Sequence, residues 1–151
     1  MNEIYRIRDQ MRRAFEGDAW HGPSLREVLE GVDAESAARR PLAGVHSIWE
    51  IVLHVSAWKT ALCRRIEGSA IELAGEEDWP PVHAGGEAAW KQTLAELAER
   101  HRALYGLTAR MSDSRLLDPV PGKDHDVYFM LHGAVQHDIY HAGQIAVLRK
   151  A

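Results

Sequence analysis

The sequence predicts an all-α protein built as a four-helix bundle, and three observations carry that expectation. Gly and Pro residues cluster in three places and cut the chain into four long stretches. Within each stretch the apolar residues recur at spacings of three and four, the period of an amphipathic helix. No internal repeat or low-complexity tract argues for another architecture. Four amphipathic helices bury their stripes most simply against one another, and 151 residues suit a single domain spanning 1–151.

The first helix is expected over Asn2 to Phe15, where Ile4, Ile7, Met11, Ala14 and Phe15 form the apolar stripe and Gly17 ends it. From there to His46 the chain reads as a long connection, broken by Gly22-Pro23, Gly31, Pro41 and Gly44, with room for short helices starting at Ser24 and Asp33. Ser47-Ile48-Trp49-Glu50 is a capping box, so a second helix should run to about Glu67. At 100° per residue Ile51, His54, Trp58, Ala61, Leu62 and Arg65 share one side of it. Gly68 to Gly86 is far longer than a tight antiparallel link requires, leaving room to cross the bundle and start the next helix parallel to the second. That third helix, Glu87 to Met111, carries a stripe of Trp90, Leu94, Leu97, His101, Leu104, Thr108 and Met111. The fourth, Asp126 to Arg149, is apolar around much of its circumference, which predicts the most buried helix and a flank facing a partner chain.

Composition excludes several functions. With 18 basic against 22 acidic side chains and a net charge of -4, nothing favours binding nucleic acid through its phosphates. No apolar run approaches the roughly 18–20 residues of a membrane span, Ile51 to Ala57 being already interrupted by His54 and Ser56, so none is expected. The one cysteine, Cys63, cannot form an intramolecular disulfide, and Met1 to Gly17 does not read as a signal peptide, so the expected location is cytoplasmic.

Nine histidines are an unusual amount of metal-competent side chain for this length. His137 and His141, at i and i+4 of the fourth helix, project one turn apart from one face and can share a transition-metal ion. Two histidines on a helix are not by themselves a site. His54 adds weight, because an inward imidazole on another helix needs a partner for its buried nitrogens. Three neutral imidazoles would leave coordination positions open, unlike closed structural zinc sites with their four ligands. Cys63, nine positions after His54, falls on the opposite half of its helix and reads as a small buried hydrophobe. His21, His46, His83 and His125 read as loop or capping residues, and His132 sits about 140° around the helix from His137. His101 reads as a satisfied core-edge histidine, or one that supports the ligands. Glu50, a turn before His54, is explained by its cap. Trp58 is expected to wall the site, and Gln144 continues the ligand face. Asp138 and Tyr140 flank it, as hydrogen bonders or solvated groups.

Two segments carry a family resemblance, Ser47-Ile-Trp-Glu-Ile-Val-Leu-His54-Val-Ser-Ala-Trp58 and His137-Asp-Ile-Tyr-His141-Ala-Gly143-Gln144-Ile145. They resemble the DinB/YfiT-like superfamily of metal-binding four-helix bundles. The resemblance implies an up-down-down-up bundle, commonly dimeric, with three metal histidines mapping onto His54, His137 and His141. It implies one divalent ion per chain at an open pocket, zinc or nickel first and iron or manganese after them. Relatives include thiol S-transferases that use bacillithiol, isomerases that use mycothiol, and metal-dependent hydrolases.

The function expected from these readings is a metal-dependent thiol S-transferase, in which a small thiol bound as thiolate meets an electrophilic compound. No G-x-S-x-G or Cys-His signature supplies a protein nucleophile. A hydrolase using metal-activated water is the alternative enzyme, lacking an evident carboxylate base other than Glu50. A non-catalytic metal-binding interaction module is the alternative of another class. A homodimer through the flank around Phe129, Gln136 and Tyr140 is expected with each.

Overall fold

The computed structural model describes residues 2–151, and among them there are six α-helices and no strand. Helix α1 is Glu3–Glu16, α2 Leu25–Leu29, α3 Ala34–Ala38, α4 Ile48–Ile66, α5 Glu87–Thr108 and α6 Val127–Leu148. The helix starts follow their caps. Asn2, Ser24, Asp33, Ser47 and Asp126 each accept a hydrogen bond from a backbone N–H of the first turn, and Ser24 and Ser47 complete reciprocal boxes with Glu27 and Glu50. The third long helix stops at Thr108, short of Met111, where the Thr108 hydroxyl donates to the Tyr105 carbonyl and the chain turns into a 3-10 segment, Asp113–Leu117. That segment earns its place by capping α1: Asp113 accepts from the N–H groups of Glu3 and Ile4 at 2.9 and 3.0 Å, which holds its carboxyl below the usual range.

Side-chain contacts give the helix directions. Trp49 of α4 donates its indole N–H to Thr93 of α5 at 3.0 Å and packs against Trp90, while further along both helices Lys59 and His101 meet the same Phe15 ring, at 5.0 and 3.8 Å from its centroid. Thus α4 and α5 run parallel, and the Gly68 to Gly86 connection crosses the length of the bundle. His54 meets His141 and His137 while Lys59 meets Asp138 and Leu62 faces Met130 across a cavity, so α6 runs against α4. Phe15 stacks on His101 and Arg8 lies over Tyr105, so α1 opposes α5. The order is up-down-down-up.

Two apolar clusters fill the bundle. One gathers Leu25, Val28, Trp49, Val52, Trp90, Leu97 and Ile145, the other Ile4, Ile7, Met11, Leu62, Leu104, Met130 and Leu131. Each such aliphatic side chain fully buried contributes roughly 1.5–3 kcal/mol. Between them, at mid-height, the bundle buries a polar layer: His54, Lys59, His101, Asp138 and His141. Lys59 Nζ donates to Asp138 Oδ2 at 2.7 Å and also lies over the Phe15 ring. Asp138 is therefore directed inward to an ion pair and is not solvated.

His101 departs from the expected satisfied core-edge histidine. It is stacked on Phe15 at 3.8 Å, and neither ring nitrogen has a hydrogen-bond partner among the described residues. Glu16 Oε1, at 3.6 Å and on a partly exposed side chain, is beyond hydrogen-bond reach. Burial first, then the Lys59 charge, pushes the His101 pKa down to about 3. The unfolded chain takes up a proton below pH ~6.5 that the folded chain refuses until near pH 3, so this histidine destabilises the fold progressively as pH falls through that window. His101→Leu should raise stability at pH 7 by about 1 kcal/mol, by removing an unsatisfied polar group, and should flatten the acid limb of a stability-against-pH curve from urea titrations. Unchanged stability at both pH 7 and pH 5 would contradict this account.

Candidate metal centre

Two helices and the crossover connection build the site. His137 and His141 stand one turn apart on α6, and α4 brings His54 opposite them. The Nε2 atoms of His54 and His141 each lie 3.1 Å from His137 Nε2, and one ligand atom from each residue falls within 4.8 Å of the others. Nitrogens bound to one tetrahedral ion at about 2.0–2.1 Å stand roughly 3.3 Å apart, close to what is seen here.

The far ring nitrogens fix the tautomers. His54 Nδ1 donates to the Asp78 carbonyl at 2.7 Å, with the Asp78 carboxylate at 3.1 Å, and both groups can only accept. His141 Nδ1 donates to the side-chain oxygen of Gln144 at 2.7 Å. Each ring therefore spends its proton outward and turns a bare Nε2 lone pair toward His137, whose single Nε2–H can satisfy at most one of the two. The leftover lone pair is free to bind a cation, and the three-histidine donor set could hold a divalent metal. Outward hydrogen bonds of this kind are the usual support for metal-binding imidazoles.

Electrostatics agree. Burial pushes His137 down to about 3, with His141, His54 and Lys59 adding to it, and His141 down to about 4 against the pull of Gln144. Burial also lowers His54, partly offset by Asp78. At neutral pH all three are uncharged, the form a metal ligand requires.

The site opens into a cavity of about 470 Å³ walled by Trp58, Leu62, Trp79, Phe129, Met130 and Ala134. Trp58 donates its indole N–H to Asp78 at 2.7 Å, and Trp79 is stacked between His46 and His54 at 3.7 and 3.9 Å. Among the remaining histidines, His125 lines the cavity, His21 meets the Pro23 carbonyl and His83 is exposed. Tyr140 lines the cavity and is largely exposed. Glu50 stays in its cap and pairs with Arg40. Cys63 is half-buried, not fully buried as expected, does not line the cavity, and has its thiol pKa raised chiefly by burial.

Asp78 and Trp79 were not among the residues singled out from the sequence. Their signal was positional: a parallel α5 forces the crossover back past the level of His54, and Asp78-Trp79-Pro80-Pro81 is the segment that reaches it.

An all-helical bundle whose interior converges three histidine nitrogens defines a class of candidate metal-binding proteins. The profile of the DinB superfamily matches residues 19–145, most of the chain and all three histidines, and the chain belongs to that superfamily. Comparison with curated proteins and with solved structures returned no significant match. No helix among the described residues is long and apolar enough to cross a membrane.

Proposed function

We propose that this chain is a metal-dependent enzyme acting on small molecules, and specifically a thiol S-transferase. The observation that carries the reading is the trio of neutral Nε2 atoms opening on an apolar cavity that contains no Ser, Cys or Lys to act as a nucleophile. His54, His137 and His141 would hold the ion, and Asp78 and Gln144 orient two of those rings. Bound there, a divalent ion lowers the proton affinity of a thiol and so supplies a nucleophile at neutral pH. Trp58 and Trp79, packed beside the histidines, would wall the electrophile's side of the cavity.

Hydrolysis is the second reading, and one observation favours it: Asp78 is the one carboxylate among the residues lining the cavity. It already accepts from Trp58 and faces His54, which makes it a supporting group before it is a base. Both readings, and a purely structural ion, separate in one experiment. Metal-loaded protein is assayed with bacillithiol, mycothiol, glutathione and coenzyme A, each with one reactive electrophile. Turnover that requires both thiol and metal, with a new sulfur-to-metal charge-transfer band in cobalt-substituted protein, is the expected result. Turnover without thiol, with thiols inhibiting, would establish the hydrolase; no turnover and no spectral change with any thiol would establish a structural ion.

The proposal includes a homodimer. Phe129, Tyr140 and Val147 of α6 are 65%, 64% and 60% exposed, an apolar flank costly to leave in water. Sedimentation equilibrium at micromolar concentration should give twice the chain mass of 17.0 kDa, and a monomer there would refute it.

A further inference from the structure

We infer that Arg65 is the anion anchor of this cavity and that the ligand it holds is a small organic carboxylate with an apolar body the size of one or two aromatic rings. The inference rests on the cavity being the substrate site and not on which reaction follows.

Arg65 sits in the last turn of α4 with its side chain 5% exposed, and it lines the cavity. Long helical side chains fold back toward the helix N-terminus, and the Arg65 guanidinium carbon lies 5.2 Å from the centroid of the Trp58 ring. The same ring is 6.2 Å from that of His137, so one indole spans the distance from the histidines to the arginine.

The guanidinium is incompletely neutralised. Its Nε donates to the Ile71 carbonyl at 3.1 Å. Its Nη2 stands 3.5 Å from Glu72 Oε2, well beyond the ~2.7–2.9 Å of a charge-assisted hydrogen bond. The other Glu72 oxygen is taken by Lys123, so two cations share one carboxylate. Nη1 makes no hydrogen bond among the described residues. A buried cation in that state is stabilised by an anion arriving in the cavity, and the guanidinium fork suits a carboxylate.

Gly133 supplies the room for the body. It lies one turn before His137 on the same face of α6, and a Cβ added there would meet no atom within 4 Å beyond its chain neighbours and its own helix backbone. Glycine inside a helix is less stable than alanine, so the fold gains nothing from it while the cavity gains open space above His137. A volume of about 470 Å³ fits one small molecule. In the metal-free protein, where the three rings are uncharged, the Asp78 carboxylate bonded to the Trp58 indole nitrogen disfavours a second carboxylate at the histidine end and leaves Arg65 as the site for the anion.

Calorimetric titration of metal-free protein with 2-naphthoate and with its neutral isostere 2-naphthamide tests this without any turnover. The carboxylate should bind about tenfold or more tightly than the amide. Arg65→Gln should erase that preference while leaving the amide unchanged, and Arg65→Lys, which keeps the charge without the fork, should retain only part of it. Gly133→Leu, which leaves Arg65 in place, should weaken both probes by about tenfold or more. If Arg65→Gln does not fold, Arg65→Lys decides the matter, a full preference in that variant refuting the fork. Equal affinity of the two probes for the unaltered protein, a preference that survives Arg65→Gln, or Gly133→Leu without effect would each overturn the inference. Because metal is absent throughout, failure of thiol transfer leaves this result standing, and the reverse also holds.

Discussion

Alanine in place of His137 is expected to reduce metal affinity by at least about a hundredfold, since losing a mere supporting group around a metal already costs roughly 10–100-fold. His137 is the common neighbour: both other Nε2 atoms lie 3.1 Å from its own, so its removal dissolves the cluster, leaving two imidazoles that no longer share a third donor. His54→Ala and His141→Ala should have the same effect, and Gln144→Ala a smaller one through the Nδ1 of His141. His83→Ala, on an exposed loop, should retain full metal content. Elemental analysis after dialysis against a metal buffer reads this directly, with about one ion per chain for the unaltered protein. Thermal unfolding gives a second readout. Metal at a hundred times its dissociation constant adds ~2.7 kcal/mol to the unaltered fold and should add nothing to His137→Ala. Undiminished metal content in all three ligand variants would remove the site from these residues.

The parts of the structure that local chemistry determines were legible in the sequence. Ser47 with Glu50, Ser24 and Asp33 announce helix starts because a side-chain acceptor and a free backbone N–H three residues later are both local facts. The pairing of His137 with His141 is likewise helical periodicity. That His54 reaches them depended on α4 and α6 being antiparallel neighbours at the right height, which its inward position suggests and only packing decides. Asp78 and Trp79 were hidden because a loop has no period, and their roles come from the crossover's path. Lys59 and Asp138 were hidden for the opposite reason. A lysine and an aspartate on helices usually face water, and nothing in either helix alone reveals that the other supplies its counter-charge.

That pair sets the largest expected change in stability. Asp138→Ala should destabilise the protein by about 3–5 kcal/mol, because it leaves the Lys59 ammonium buried without its carboxylate. Both side chains are only 4% exposed, so water cannot take the place of the missing partner without opening the bundle. The pair itself is not an economical way to fill that layer. Asp138 Oδ1 has no hydrogen-bond partner among the described residues, and the position lies between two apolar clusters that a nonpolar pair would join. Replacing both, as Lys59→Met with Asp138→Leu, should therefore recover most or all of the loss, giving a coupling of several kcal/mol between residues in contact. Urea titrations of the unaltered protein, Lys59→Met, Asp138→Leu and the double variant in metal-free buffer measure the cycle, and metal content of the double variant tests whether the histidines depend on it. His137 precedes Asp138 on α6 but reaches the cavity with its own side chain, so the double variant should still hold about one ion per chain. A cost below about 1 kcal/mol for Asp138→Ala would show that the ammonium finds water, and would place the pair at the surface in solution.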